Sequence, residues 1–285
     1  MTTKAASRHG QLTAAAVGSK SCRMALRRLG RLGRLGPRLL QVTPLSATLH
    51  RPAAASSLLR DLLTGSGALE EVIRTRMSVH YETGRVDVPV LCLALPDAVR
   101  LPNSVLTPVL PGAPLWLDAG VLRANDAHWR VSRWWQPPRP AGLVPPVTGR
   151  LMGFGPTPYD DVDPHALVGA GEGLTPCGDD LLAAALVTAR ATADPRFGGW
   201  CDTTRDALLS RRTTAVSRGL LWHALDGWCV PELADFLAVT CSGADSTAAA
   251  DRLRAIGHSS GQALLDGAVY VLSTHPCVLP RQGAA

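Results

Sequence analysis

The sequence predicts an α+β protein in which a β-rich N-terminal part precedes a helical C-terminal part. Three observations support this fold class. Short apolar segments separated by turn residues run from about residue 77 to 135, a segment rich in proline and glycine follows from 136 to 157, and apolar residues then recur at helical spacing. The chain has 285 residues, 46% of them hydrophobic, which is enough for a sizeable core.

The β-rich part is expected over residues 61–150, as a small barrel or a sandwich. Val88–Leu95 reads as a buried strand because it is almost continuously apolar. The segments GVLRAN and HWRVSRWW resemble the two strands of a hairpin that turns at Asn125 and Asp126. A domain boundary is expected near residue 150.

The N-terminal segment 1–60 differs in charge from the rest of the chain. It holds 11 of the 29 Lys and Arg residues and no Asp or Glu, which leaves a net charge of −5 for the remainder. Low complexity around RRLGRLGRLGPRLL predicts a disordered extension, with a transit peptide or a membrane-surface segment as alternatives. Because the basic residues lie here and form no long stripe interleaved with aromatic residues, we expect no nucleic-acid partner.

The helical part is expected over residues 151–285. Helices are predicted at Asp179–Thr192, Thr203–Leu225, Pro231–Thr240, Ser246–Ile256 and Ser259–Ser273. The first and the last are apolar on nearly all sides, so both should lie in the middle of a helical bundle.

The segment GAGEGLTPCGDD, residues 169–180, is the strongest indication of a binding site. Glycine allows backbone N–H groups to approach a ligand, and the positive end of a helix dipole favours an anion. We therefore expect Gly171, Gly173, Thr175 and Gly178 to bind substrate.

Two further helix starts carry hydroxyl residues, in RRTTAVSRGLL and IGHSSGQALLDG. Ordinary N-capping explains any one of them, since Ser and Thr commonly cap helices. Three such starts favour a shared pocket in which main-chain amides and hydroxyls hold a carboxylate or phosphate. The additional substrate-binding candidates are Thr213, Thr214, Ser259, Ser260 and Gly261.

Asp179 and Asp180 are the candidate catalytic carboxylates, and His258 is a candidate hydrogen-bond donor or acid–base group. Two carboxylates would repel an anion, so they hold a cation such as Mg²⁺ or substrate N–H groups, or one of them caps the helix and faces away. Neighbouring helical side chains diverge by about 100°, which favours separate roles. The metal requirement stays open, with Asp179 or Asp180 as the ligand if there is one.

The seven cysteines are scattered without a C-x-x-C pair, which predicts a reducing compartment and no cysteine-ligated zinc site. The chain has no apolar run of about 18 residues, so we expect no membrane span. These features predict a cytoplasmic protein.

The motifs GAGEGLTPCGDD, TTAVS and IGHSSG, in this order, resemble the signature of a bacterial domain-of-unknown-function family. That family includes the third subunit of oxamate carbamoyltransferase, an enzyme of allantoin catabolism, and the resemblance spans roughly residues 77 to 274. Family members typically have serine where this chain has Cys177, which argues against an essential thiol. They commonly have an acidic residue near Gln262 and Ala263, a difference that bears on substrate choice.

The resemblance implies a protein of purine nitrogen metabolism that acts with partner subunits on carbamoyl phosphate and oxamate. Carbamoyl transfer needs hydrogen-bond donors where charge develops on the carbonyl and phosphate oxygens. Two alternatives stay open: a regulatory module that binds a small anion or nucleotide without catalysis, and a structural subunit that completes a partner's active site.

Overall fold

The computed structural model describes residues 50–112, 114–125, 127–146, 161–210 and 212–275. These residues belong to one compact unit. The domain boundary expected near residue 150 lies outside the described residues, as do residues 1–49 of the expected extension.

The N-terminal part is an eight-stranded closed barrel. Its strands in chain order are β1 (His50–Ser56), β2 (Ser66–Arg74), β3 (Ser78–Glu82), β4 (Val90–Ala94), β5 (Ser104–Leu106), β6 (Leu115–Asp118), β7 (Val121–Ala124) and β8 (Ala127–Trp135). Around the barrel their order is β1-β5-β4-β3-β2-β6-β7-β8. The pairs β1/β8 and β4/β5 are parallel and the others antiparallel. The sequence left barrel and sandwich open, and the structure has the barrel.

The predicted hairpin is confirmed, because β7 and β8 pair antiparallel with Ala124 opposite Ala127. Strand β1 corrects the expectation of an extension up to residue 60. Its alanines have low intrinsic strand propensity, yet it pairs with both β8 and β5 and buries Ala55 completely. Closure of the barrel, which is a tertiary effect, makes this segment a strand.

Side chains along β3 point alternately into the barrel core and out of the barrel. Val79 and Tyr81 are fully buried in the barrel core. Ser78, His80 and Glu82 point the opposite way because successive strand residues alternate between faces. This outer face is covered by the helical part rather than by solvent, and His80 is only 4% exposed.

The helices form the second layer. A short 3₁₀ turn at Ser57–Leu59 and helix α1 (Arg60–Leu63) belong to the barrel part. The C-terminal helices are α2 (Pro164–Leu167), α3 (Cys177–Ala191), α4 (Phe197–Leu209), α5 (Ala215–Leu225), α6 (Pro231–Cys241), α7 (Thr247–Arg254) and α8 (Ser260–Thr274). Helices α3 and α8 lie in the middle as predicted, and Leu181, Leu186 and Ala268 are inaccessible to solvent.

The single helix predicted at Thr203–Leu225 is wrong, because α4 and α5 are separate. Thr214 adopts an extended backbone with φ −66° and ψ 158°, and its side chain accepts a hydrogen bond from Ser217 N. The polar residues 210–214 interrupt the apolar pattern between the two helices, and the Thr214 cap marks where the new helix begins.

Within the described ranges, no helix has the length and apolar character that a membrane crossing requires.

Candidate functional site

The three sequence motifs meet in space, as predicted. Thr175 Oγ1 lies 2.8 Å from Ser260 Oγ, which joins the start of α3 to the start of α8. Thr214 Oγ1 donates to Leu174 O at 2.7 Å, which joins the glycine loop to the start of α5. Residues from all three motifs therefore surround one place in the helical part.

Asp179 ties the glycine loop to α5. Its Oδ1 accepts from Gly169 N at 2.8 Å, and its Oδ2 accepts a hydrogen bond from Thr213 Oγ1. The side chain is 2% exposed, and burial raises the pKa of its carboxyl group. Both oxygens are thus engaged by the protein itself, which gives Asp179 and Thr213 a structural connection.

Asp180 faces a different environment. It is 3% exposed, and its Oδ2 is buried without a hydrogen-bond partner among the residues that the structure describes. Burial raises the pKa of Asp180 to about 6, while the hydroxyls of Ser260 and Thr175 act in the opposite direction. The two adjacent carboxylates therefore separate into one that is bonded within the protein and one that keeps a free acceptor.

Asp180 lines a cavity of about 250 Å³ between the barrel and the helices. We call its two sides the barrel wall and the helical wall. The polar residues are Thr75, Ser78 and His80 in the barrel wall and Thr175, Asp180 and Ser260 in the helical wall. Apolar side chains, among them Val187, Leu220, Leu233 and Leu264, make up most of the remaining surface.

His80 is a candidate site residue that the sequence did not reveal. One ring nitrogen, Nε2, lies 3.1 Å from Ser78 Oγ, and the other, Nδ1, is buried and has no partner in the described part of the chain. Burial lowers the pKa of His80 to about 4, so the ring is neutral at physiological pH. The available signal was the polar alternation Ser78, His80, Glu82, but that pattern ordinarily indicates a solvent-exposed strand face.

The main-chain amides at the helix starts are already bonded within the chain. Gly178 N donates to Ala170 O, and the amides of Asp179 and Asp180 donate to Pro176 O. At α8, Gly261 N donates to Ile256 O. The expected anion cradle of free helix amides is therefore not formed by these groups. The capping interpretation holds for Thr214 but not for Ser259, whose side chain caps nothing.

Two local structural requirements explain why glycine stands at these four positions. Gly171 and Gly173 have φ of +111° and +94°, which favour glycine, and neither lines the cavity. Gly178 and Gly261 allow close packing, because a Cβ would lie 2.3 Å from Leu167 O and 2.1 Å from Leu253 O respectively. A role of these four residues in substrate binding stays a prediction.

The remaining candidates lie at the surface. His258 and Ser259 are exposed and do not line the cavity, although the preceding Gly257 does. Cys177 Sγ is 3.5 Å from Ser259 Oγ. His258 is therefore not among the residues that line the cavity with Asp180.

Charge is distributed unevenly around the site. Among the described residues, those lining the cavity include neither Lys nor Arg. Arg218 is nearby on α5, but it forms an ion pair with Glu82 of β3. In the part of the chain that the structure describes, no three His, Cys, Asp or Glu side chains are grouped to hold a metal ion.

Residues 167–272 match the family model described as oxamate carbamoyltransferase subunit AllH. No curated protein and no solved structure matches the chain significantly. The matched range contains the helical wall of the cavity with Thr175, Asp180 and Ser260, but not the barrel wall. Over residues 167–272, the chain is therefore similar to the oxamate carbamoyltransferase subunit AllH family.

Proposed function

We propose that this protein is a subunit of a carbamoyltransferase that transfers the carbamoyl group of carbamoyl phosphate to oxamate, in the nitrogen catabolism of purines. The observation that carries the proposal is the cavity at Asp180. It is bordered by side chains of the family's matched range, and among the described residues its lining holds a free carboxylate oxygen but no Lys or Arg.

The helical wall suits the amide end of oxamate. In the transfer, the amide nitrogen attacks the carbamoyl carbon, loses a proton, and phosphate leaves. Asp180 would accept a hydrogen bond from the amide and then its proton, and a pKa of about 6 is suited to a base at neutral pH. Thr175 and Ser260 would orient the same group through their hydroxyls.

The phosphate end does not suit this cavity. A phosphate needs Arg, Lys, a cation or free main-chain amides. The described residues that line the cavity include no Lys or Arg, and the amides of Gly178, Asp179 and Asp180 are bonded within the chain. The proposal therefore assigns phosphate binding to a partner subunit, or to Mg²⁺ held jointly with it, and expects all subunits in the cytoplasm.

The test measures phosphate release from carbamoyl phosphate in the presence of oxamate. We expect activity when this chain and its partner subunits are combined, and none with either alone. Asp180→Asn should lower the rate about a hundredfold, the typical contribution of a general base. Asp235→Asn is the matched control, because Asp235 is an exposed carboxylate outside the cavity.

Other results would support the two alternatives. If the complex turned over normally with Asp180→Asn, the chain would be a structural subunit. If the complex showed no turnover while the chain bound a ligand, a regulatory binding module would be supported; the largely apolar lining of the cavity is the observation that favours this second candidate.

A further inference from the structure

Two residues that line the cavity each carry a buried polar atom without a hydrogen-bond partner among the described residues. These atoms are Oδ2 of Asp180 in the helical wall and Nδ1 of His80 in the barrel wall. The two residues are 3% and 4% exposed. Buried polar groups in folded proteins are nearly always hydrogen-bonded, so two exceptions in one cavity indicate a place where a bound molecule supplies the bonds.

The charges of the lining restrict what this molecule is. An anionic group placed beside Asp180 would meet its carboxylate without a compensating Lys or Arg among the described lining residues. A cation would lose its hydration in a mainly apolar space, with one carboxylate to replace it, and this desolvation is costly. An uncharged group with both N–H and C=O avoids both penalties.

The two unpartnered atoms complement such a group. A carboxylate oxygen only accepts hydrogen bonds, so Asp180 needs an N–H or O–H donor. The neutral imidazole of His80 has one donor and one acceptor nitrogen, and Nε2 is already paired with Ser78. In the tautomer that carries its proton on Nδ1, His80 would donate to a carbonyl oxygen.

The size and lining set the rest of the ligand. An apolar cavity of about 150 Å³ is large enough for benzene, and this cavity measures about 250 Å³. Val187, Leu220 and Leu264 would contact an apolar body, while the polar head lies at Asp180 and His80.

We infer that the cavity between the barrel and the helices binds the uncharged carboxamide or ureido group of its ligand, held by Asp180 and Thr175 on one side and by His80 on the other, with any charged group of the same molecule, such as the carboxylate of oxamate, directed away from Asp180. The choice of an amide over an alcohol rests on the proposed function, whose substrates carry amide groups. The barrel thereby contributes a binding residue from outside the family's matched range.

The test uses the full chain without partner subunits and measures binding by calorimetry and thermal stabilisation. Benzamide, benzoate and benzylamine share one ring and differ in the charge of the head group, and inorganic phosphate is the fourth probe. We expect benzamide to bind at least tenfold more tightly than the other three. Equal or tighter binding of benzoate, benzylamine or phosphate, or no binding of any probe, would overturn the inference.

Variants test the contribution of each wall to binding separately. Asp180→Asn replaces an acceptor by a donor, so it should reverse the preference and favour benzoate over benzamide, which a poorly folded variant could not do. His80→Phe should weaken benzamide at least tenfold, whereas His128→Phe, an imidazole of β8 that does not line this cavity, should not. Unchanged benzamide affinity in both Asp180→Asn and His80→Phe would contradict the assignment.

The outcome is independent of turnover. If benzamide binds but the assembled subunits transfer no carbamoyl group, the inference stands and the proposed function fails. If the subunits are active but benzamide does not bind, the inference alone fails.

Discussion

The two walls of the cavity are built in different ways. In the helical wall, α3 and α8 approach so closely that a Cβ on Gly267 would lie 2.1 Å from Leu181 O, next to Asp180. Where the barrel meets α5, a Cβ on Gly219 would instead meet the side chains of Asn103 and Val90, at 2.9 and 3.2 Å. The close neighbour of Gly267 is therefore a backbone atom, whereas the close neighbours of Gly219 are side-chain atoms.

This difference indicates which wall keeps its geometry. Side chains can adjust by a few tenths of an ångström, but two packed helices cannot do so without separating. The contact at Gly267 therefore leaves α3 and α8 little freedom to shift, whereas the contact between α5 and the barrel at Gly219 can yield by side-chain movement. The predictions below test this contrast between the walls.

The largest expected effect is that of Gly267→Ala. Because the new methyl group collides with the carbonyl of Leu181, α3 and α8 must move apart, at a cost of about 3 kcal/mol or more in unfolding free energy. Gly219→Ala should cost about 1 kcal/mol, since the neighbouring side chains can move. Denaturant unfolding measures both.

Gly198→Ala in α4 is the matched control, because a Cβ there has no neighbour within 4 Å. We expect it to be neutral or slightly stabilising, as alanine favours helix. Equal losses for Gly267→Ala and Gly219→Ala would contradict the contrast between the walls.

The next effect is a pH dependence of opposite sign in the two walls. Asp180 has a pKa raised from 3.8 to about 6, so its contribution to stability is lost as pH rises from about 4 to about 6. His80 has a pKa lowered from 6.5 to about 4, so its contribution grows as pH rises from about 4 to about 6.5. Each amounts to at most about 3 kcal/mol.

Unfolding free energies measured between pH 4 and 7 test these signs. Relative to the unsubstituted protein, Asp180→Asn should gain stability as pH rises, and His80→Gln should lose it. Asp235→Asn, at an exposed carboxylate, should leave the pH dependence of the unfolding free energy unchanged. Slopes of the same sign for both cavity variants would show that burial does not act oppositely on the two groups.

A smaller loss is expected for Asp179→Ala, at about 2 kcal/mol. The substitution leaves Gly169 N and Thr213 Oγ1 without their acceptor. Thermal unfolding should detect this loss, whereas benzamide affinity should change less than in Asp180→Ala. Full stability combined with lost ligand binding would instead place Asp179 in the binding site.

The smallest effect is that of Thr175→Val, which removes the hydrogen bond to Ser260 and keeps the shape of the side chain. We expect a loss of about 1 kcal/mol in unfolding free energy, and weaker benzamide binding. Thr203→Val, at a half-buried hydroxyl that donates to Gly199 O within its own helix, is the control and should change neither. An unchanged benzamide affinity in Thr175→Val would remove the hydroxyl from the proposed site.

The helical wall could be found in the sequence because its signals are local. Glycines, hydroxyl residues and Asp179–Asp180 stand together at helix starts, and Thr175, Asp180 and Ser260 were all selected from them. Separate roles for Asp179 and Asp180 were expected, but not which residue has which role. The angle of about 100° between neighbouring helical side chains does not say which of the two is bonded within the protein. His258 was selected by the same local signal and lies at the surface.

The sequence by itself determined the α+β class, the central helices α3 and α8, and the meeting of the three motifs, because apolar periodicity and helix-start residues are short-range properties of the chain. Only the tertiary structure decided that β1 completes a barrel, that α4 and α5 are separate, and that His80 is buried in the lining of the cavity that Asp180 also lines. The physical reason is that a polar strand face is exposed or covered according to what packs on it, and here the covering helices come from more than a hundred residues further along the chain.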